Sequence, residues 1–252
     1  MKISIITPSY NSSKTISDTI ESVISQNYSD LEYIIVDGAS TDNTKDIVSK
    51  YQGKINIKFV SEPDKGIYDA MNKGIGLATG EVIGIINSDD FYINNDVLGK
   101  VSDVFKDSNT DACYGDLVYI KDDIKNKIIR YWKAGEYKEW KLNYGWIPPH
   151  PTLFVRKSVY EKFGLFRLDL KIAADYELML RLLKKEKIKI SYIPHTLVTM
   201  RLGGSSSKNI KNRMSGIKEL HKSWELNGMK VPTLFIFRQL LKIPQYLRRF
   251  KK

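Results

Sequence analysis

Apolar and polar residues follow two different periods along the first half of the chain. The runs KISIIT (2–7), LEYIIV (31–36) and EVIGII (81–86) are short, apolar and rich in β-branched residues, while INIKFV (55–60) alternates apolar with polar. Each reads as a β-strand. Between them the apolar positions fall at helical spacing. Ile16, Ile20, Val23 and Ile24 predict a helix over 14–25, and further helices are expected over 42–50 and, despite internal glycines, over 66–77. Strand and helix in succession predict an α/β fold with a mostly parallel central sheet and helices packed on its faces. Beyond about residue 110 the pattern is mixed. DACYGDLVYI (111–120) and KIIRYW (127–132) read as antiparallel strands, 132–150 as an aromatic-rich loop, TLFVRK (152–157) as a strand and ADYELMLRLLKK (174–185) as an amphipathic helix.

Ligands of parallel sheets bind in loops at the carboxyl ends of the strands, and here those loops collect the polar residues. The four strands run into Thr7-Pro8-Ser9-Tyr10-Asn11, Asp37-Gly38-Ala39-Ser40-Thr41-Asp42, Glu62-Pro63-Asp64-Lys65-Gly66 and Asn87-Ser88-Asp89-Asp90. One such loop is ordinary; four at one sheet edge predict a built site.

Charge adds a second division. The chain of 252 residues carries a formal net charge of +11, but residues 1–207 hold 28 Lys/Arg against 27 Asp/Glu, whereas 208–252 hold 12 against 2. The excess belongs to a tail, and basic tails seek phosphates on nucleic acid or on anionic lipid. Gly203-Gly204-Ser205-Ser206-Ser207 reads as a linker at this charge shift, and the chain beyond it reads as helical with breaks at Pro232 and Pro244. The expected organisation is a catalytic domain over 1–207, with a donor half to about 110 and an acceptor half over 111–207, followed by a basic amphipathic extension over 208–252. A single cysteine, Cys113, excludes an intramolecular disulfide and a cysteine-based zinc site. The start, MKISIITPSY, lacks a signal-peptide pattern, and no apolar run approaches the ~20 residues of a spanning helix.

Several side chains are candidates for chemistry. Asp89 and Asp90 follow a buried strand, and hard cations such as Mg²⁺ or Mn²⁺ take one or two carboxylates from protein and complete their shell with phosphate oxygens. The same pair would serve equally as a turn or a cap for a helix near 94–107. Asp37, before Gly38, is placed to accept hydrogen bonds from a base or ribose, or else to sit in a solvated turn. Asp175 opens the helix 174–185, where a carboxylate is favoured by the helix dipole and could also serve as a general base. Glu177 lies about 200° round the helix from it. His150, held between prolines, and Trp146, in the aromatic-rich stretch, are candidates for acceptor contact; His195, beside Pro194, reads as a loop residue. No GxGxxG or Walker motif is present, which weighs against dinucleotide and P-loop chemistry.

Taken in order, TPSYN, VDGASTDNT, EPDKGIYDAMNKG, INSDD and ADYELMLRL resemble the motifs of the family 2 glycosyltransferases with the GT-A fold, over roughly residues 1–205. The likeness is greatest to bacterial members that build surface polysaccharides. The resemblance implies a hexosyltransferase-type inverting enzyme that uses a nucleotide-diphosphate sugar, UDP-linked for preference, with Mn²⁺ or Mg²⁺ as cofactor. It assigns Pro8, Tyr10 and Asn11 to the first nucleotide loop, and Asp37, Ser40 and Asp42 to the segment that reads the base. Asp64, Gly66, Asp69, Asn72 and Lys73 would line ribose and diphosphate. Asp89 would contact the donor, Asp90 the metal, and Asp175 would be the catalytic base. Ala174 stands where many members carry glutamate, so that acid's role is absent or supplied elsewhere. Arg201 and the loop 203–207 would close over the donor phosphates.

The expected partners are the sugar nucleotide, a glycan or polyprenyl-linked acceptor, and an anionic membrane surface met by the tail, at the inner face of the cell membrane in the cytoplasm. A tail packed on the catalytic body is the alternative. Nucleic acid is not expected. The rival functions are a catalytically inactive nucleotide-sugar binding protein and a nucleotidyltransferase.

Overall fold

A computed structural model describes residues 1–52, 57–121, 124–202 and 210–247. β1 (Ile3–Ser9) is buried along its whole length, as a strand covered on both faces must be. It pairs in parallel with β2 (Leu31–Asp37) and with β4 (Val82–Ile85), and β2 carries the parallel set on to β3 (Ile57–Ser61). Successive residues of a strand point to opposite faces, and the core divides accordingly. Ile5, Tyr33 and Ile35 pack with α1 (Ile16–Ile24) through Ile16, Ile20 and Val23, and with Val48 of α2 (Thr44–Ser49). Ile6 and Ile34 pack on the other side, against Met71 and Ile75 of α3 (Ile67–Leu77).

Past β4 the sheet becomes mixed. β6 (Ala112–Lys121) pairs antiparallel with β7 (Ile124–Trp132) and with β8 (Phe154–Arg156), and β8 joins this half to β4. On its other side β6 runs parallel to β9 (Ile190–Arg201), whose far end holds the short β5 (Phe91–Tyr92). Among the described residues the order is β3-β2-β1-β4-β8-β6-β9-β5, with β7 off β6. α4 (Val97–Val104) covers the α1 face. α5 (Lys157–Phe163) and α6 (Ala174–Leu180) cover the α3 face, and α6 runs into a π-helical turn, Arg181–Lys185.

The elements follow the expected alternation, with the mixed sheet beyond residue 110. β9 is the main addition. Pro194 and His195 break its apolar alternation and are exposed, and the register with β6 shifts between Tyr114 and Asp116, opposite them. A bulge is where a strand accepts a proline without losing a ladder bond. His195 therefore belongs to a strand, which corrects the loop expected for it.

The C-terminal extension forms α7 (Ile210–Leu226), a 3-10 run over Thr233–Lys242 and α8 (Ile243–Leu247). It packs on the body. Trp224 is 1% exposed and donates its indole N–H to the Tyr176 hydroxyl at 3.1 Å. Phe235 sits edge-on to Tyr176, His221 and Trp224. Gly145, at φ 75°, makes this docking possible: a Cβ there would lie 2.7 Å from Arg238 Cδ and 2.8 Å from Phe235. The expected linker and the 207/208 division fall outside the described residues. Among the described residues no helix is long and apolar enough to cross a membrane.

Candidate active site

The loops after β1, β2, β3 and β4 meet, and hydrogen bonds hold them together. Asp37 is the buried post of this arrangement. Its Oδ1 accepts from the hydroxyls of Ser9 (3.1 Å) and Ser40 (2.5 Å), and its Oδ2 from the Ser40 amide (2.9 Å) and the Ser61 hydroxyl (2.7 Å). Four donors fill the four lone-pair sites of a carboxylate, so Asp37 fixes the loops from inside.

Asn11 ties the first loop to the second. Its amide donates to Ser40 Oγ at 2.8 Å and its Oδ1 accepts from the Thr41 amide at 2.9 Å. Asp42 accepts from the Ser13 amide and from the amide and hydroxyl of Thr44. Burial alone would raise its pKa, but these bonds prevail and hold it below the usual carboxylate range. Ser12 Oγ meets Ser88 Oγ at 2.7 Å, joining the first loop to the fourth. Asn11 and Ala39 stand at φ 48° and 56°, a backbone region L-residues enter only when the surroundings impose it. Pro8 is buried in β1, and Tyr10, 64% exposed, stands out from the rim.

The third loop folds over the second. A Cβ on Gly38 would lie 2.5 Å from Asp64 Oδ2, so glycine there is what admits Asp64. Asp64 Oδ1 accepts from the amide of Gly66, which stands at φ 116°. Asp69 accepts from the Lys65 amide at 3.0 Å, and Lys73 pairs with Glu62 at 2.8 Å and with Asp69 at 3.8 Å. Asn72 is committed elsewhere. Its amide bridges the backbone N–H and C=O of Phe166 at 3.0 and 2.8 Å, which pins α3 to the segment between α5 and α6.

In the fourth loop Asp90 is wholly buried and Asp89 half-buried. Burial, and then the charge of Asp89, push the Asp90 carboxyl well above its ordinary pKa. Asp90 Oδ2 accepts from Asn87 Nδ2 at 3.0 Å, but Asp90 Oδ1 and Asn87 Oδ1 are buried with no hydrogen-bond partner. Two orphaned hard oxygens in one turn are costly and are the donor type that Mg²⁺ or Mn²⁺ prefers. Among the described residues no three His, Cys, Asp or Glu cluster as a metal cage, so the donor set fits a cation that draws most of its shell from phosphate. Arg201 lies against this turn. It donates to the Asp89 carbonyl at 2.7 Å, pairs with Asp18, and covers the Phe91 ring at 5.0 Å.

Asp175, in the first turn of α6, opens into a cavity of about 240 Å³, far above the ~10–15 Å³ one water needs. Trp146 and His150 line the same cavity, so the candidate base and the two acceptor candidates come together, beside Tyr119, Arg130 and Arg238. Tyr68 donates toward Asp175 Oδ1 at 3.2 Å and the Ile172 carbonyl at 2.9 Å, joining α3 to the start of α6. His150 sits edge-on to Phe166, and burial lowers its pKa against the pull of Asp175. Glu177 is buried on the far side, paired with Arg181. Glu219 of α7 reaches the segment before Asp175, accepting from the amides of Lys171, Ile172 and Ala173 at 3.2, 2.8 and 2.9 Å.

Tyr68 and Glu219 are residues that reading the sequence does not single out, while Asn87 reads only as part of the Asn-Ser-Asp-Asp turn and Arg238 only as part of the basic tail. Tyr68 and Asn87 lie inside the quoted motifs, which is the one signal that could have raised them; Glu219 and Arg238 carried none beyond the tail's charge.

Comparison with known proteins bears on the family and the fold. Glycosyl transferase family 2 matches residues 4–164. The Escherichia coli UDP-Glc:alpha-D-GlcNAc-diphosphoundecaprenol beta-1,3-glucosyltransferase WfgD is 29% identical over 228 residues, 90% of this chain and 85% of that protein. The crystal structure of S. aureus TarS 1-349 in complex with UDP-GlcNAc superposes with a TM-score of 0.68 at 21% identity, over 90% of this chain and 65% of that one. The mannosyltransferase PcManGT from Pyrobaculum calidifontis, in complex with GDP-Man and Mn²⁺, gives 0.66 at 19% identity, over 98% of this chain and 69% of that one.

Proposed function

This chain belongs to glycosyl transferase family 2 and is a glycosyltransferase with the GT-A fold; we propose that it works by inversion, moving a sugar from a UDP-sugar onto a glycan or lipid-linked acceptor of a surface polysaccharide. The observation that carries this reading is the cavity of Asp175, His150 and Trp146, which is also lined by Met200, the residue before the Arg201 that donates to the Asp89 carbonyl at 2.7 Å. Donor loops and acceptor cavity are neighbours, as a single displacement needs.

In this reading Asp175 takes the proton of the acceptor hydroxyl as that oxygen attacks the anomeric carbon, and the bond to the diphosphate breaks on the opposite side. Tyr68 orients the carboxylate. Pro8, Tyr10, Asn11, Ser40 and Asp42 surround the nucleoside, with Asp37 holding those loops in shape. Asp64, Gly66, Asp69 and Lys73 border ribose and diphosphate, and Asn72 braces α3 behind them. Asp90 and Asn87 would hold Mn²⁺ or Mg²⁺ beside Asp89, and a bound cation would neutralise charge growing on the leaving diphosphate. Arg201 holds that turn in place. WfgD, with a UDP-sugar and a diphosphate-lipid acceptor in its name, and the Mn²⁺ in the PcManGT complex support this choice of donor, acceptor and cofactor. An acceptor on lipid suits attachment at the inner face of the cell membrane through the C-terminal extension.

Calorimetric titration of UDP, GDP and CDP, with and without Mn²⁺, tests the donor side. UDP should bind tightest and need the metal, and Asp90→Ala should remove that dependence. Equal, metal-independent binding of all three would overturn it.

A further inference from the structure

The extension does more than pack on the body; two of its residues, Arg238 and Gln245, complete the wall of the Asp175 cavity. Arg238 is half-buried there. Its guanidinium lies 5.8 Å from the centre of the Tyr176 ring, and its Nε donates to the Gly145 carbonyl at 3.3 Å. Among the described residues it forms no ion pair with any carboxylate. The second cation of the wall, Arg130, donates to Gln245 Oε1 at 2.7 Å and stacks 4.4 Å over the Tyr119 ring. Among the described residues the charged lining is therefore two guanidiniums, Arg130 and Arg238, against the carboxylate of Asp175. A half-buried cation whose nearest opposing charge, Asp175, makes no direct ion pair with it is only partly compensated, and a guanidinium is suited to a phosphate, which its planar fork meets with two parallel hydrogen bonds. The outer side of the same segment exposes Ile236, Phe237, Leu240 and Ile243, at 77%, 46%, 56% and 53%. A cation facing the cavity and an apolar exterior occur on one short run, which favours a phosphate whose carrier is itself apolar.

We propose that Arg238 holds the phosphate of a phosphate- or diphosphate-linked lipid acceptor, so that the C-terminal 3-10 run is the lipid-side wall of the acceptor subsite. This rests on the reading of the Asp175 cavity as the acceptor site. Arg130, held by Gln245 and Tyr119, gives that wall a second positive charge, and Asp175 lines the same cavity for the sugar hydroxyl.

The test uses the full chain with UDP and Mg²⁺ at saturation, so that the donor loops are filled, and follows binding of geranyl diphosphate by tryptophan fluorescence and calorimetry. Arg238→Gln should weaken geranyl diphosphate at least tenfold, Arg238→Lys should stay within about threefold of wild type, and geraniol should not bind. UDP affinity, measured separately on each variant, should not change, and its absence in the wild type would strike the donor-site reading rather than this one. Equal affinity of wild type and Arg238→Gln for geranyl diphosphate would overturn the proposal. Inorganic pyrophosphate binding as tightly as geranyl diphosphate would overturn the lipid assignment and leave a plain anion site.

Discussion

Replacing Glu219 by alanine should damage both stability and turnover, because this one carboxylate ties α7 to the approach of Asp175. It accepts from the amides of Ile172 and Ala173 at 2.8 and 2.9 Å, and more loosely from Lys171 at 3.2 Å. Hydrogen bonds to a charged group contribute about 1.5–3 kcal/mol each. Lys171 is exposed and its amide recovers a water, and the half-buried Ile172 recovers part of its loss; the net cost is then about 3 kcal/mol. For a chain of this size 1 kcal/mol corresponds to roughly 2–4 °C, so Glu219→Ala should lower the melting temperature by about 6–12 °C. Glu219→Gln keeps one acceptor oxygen and should lose less than half of that.

Asp175 lies two residues beyond Ala173, and a misplacement of about 1 Å in a reacting group costs on the order of a hundredfold. Turnover in Glu219→Ala should therefore fall by about ten- to a hundredfold while UDP affinity holds. Thermal unfolding by circular dichroism and nucleoside-diphosphate release measure the two effects. A melting temperature within about 1 °C of wild type, together with unchanged turnover, would refute the reasoning.

Three further outcomes are expected. Asp37→Ala strips four hydroxyl and amide donors of a buried acceptor, so UDP affinity should fall at least tenfold and stability by about 3 kcal/mol, read by calorimetry and urea unfolding. His150 has its pKa lowered in the fold by burial, so its ring resonance should titrate below about 6.5 in NMR; the unfolded chain takes up that proton first, and the contribution to stability, present above about 6.5, is lost as pH falls toward the folded value. Serine at Ile236, Leu240 and Ile243 together should reduce pelleting with anionic liposomes without lowering the melting temperature, since all three are exposed; unchanged pelleting would remove this segment from membrane attachment.

The first half of the chain was legible because its signals are local. A strand buried on both faces must be apolar throughout, as β1 is, and the turn at its end must be polar and small. The loops could therefore be placed from the chain alone, but not what their side chains do. Asp37 reads as a carboxylate offered to a ligand, and only the fold shows Ser9, Ser40 and Ser61 converging to use it up. Asn72 and Lys73 are likewise drawn to Phe166 and Glu62. β9 was hidden by Pro194 and His195, since the bulge that accommodates them depends on its partner strand. The surroundings of Asp175 depend on distant pairs: Tyr68 meets Asp175 across 107 positions, and Glu219 reaches back nearly fifty. In the tail the excess of Lys and Arg was plain and pointed outward to a membrane. Phe235 reads as one of several apolar residues in an amphipathic run, and nothing local tells that it and Trp224 dock on α6 while Ile236 and Phe237 stay exposed.

The most direct test of the central claim is nucleoside-diphosphate release from a panel of UDP-, GDP- and CDP-sugars with a glycan-diphosphate-lipid acceptor, comparing wild type with Asp175→Asn. The account predicts turnover of a UDP-sugar by the wild type, and in the variant a loss of at least a hundredfold with UDP affinity unchanged. Turnover by Asp175→Asn at the wild-type rate would contradict it, because the base would then lie elsewhere.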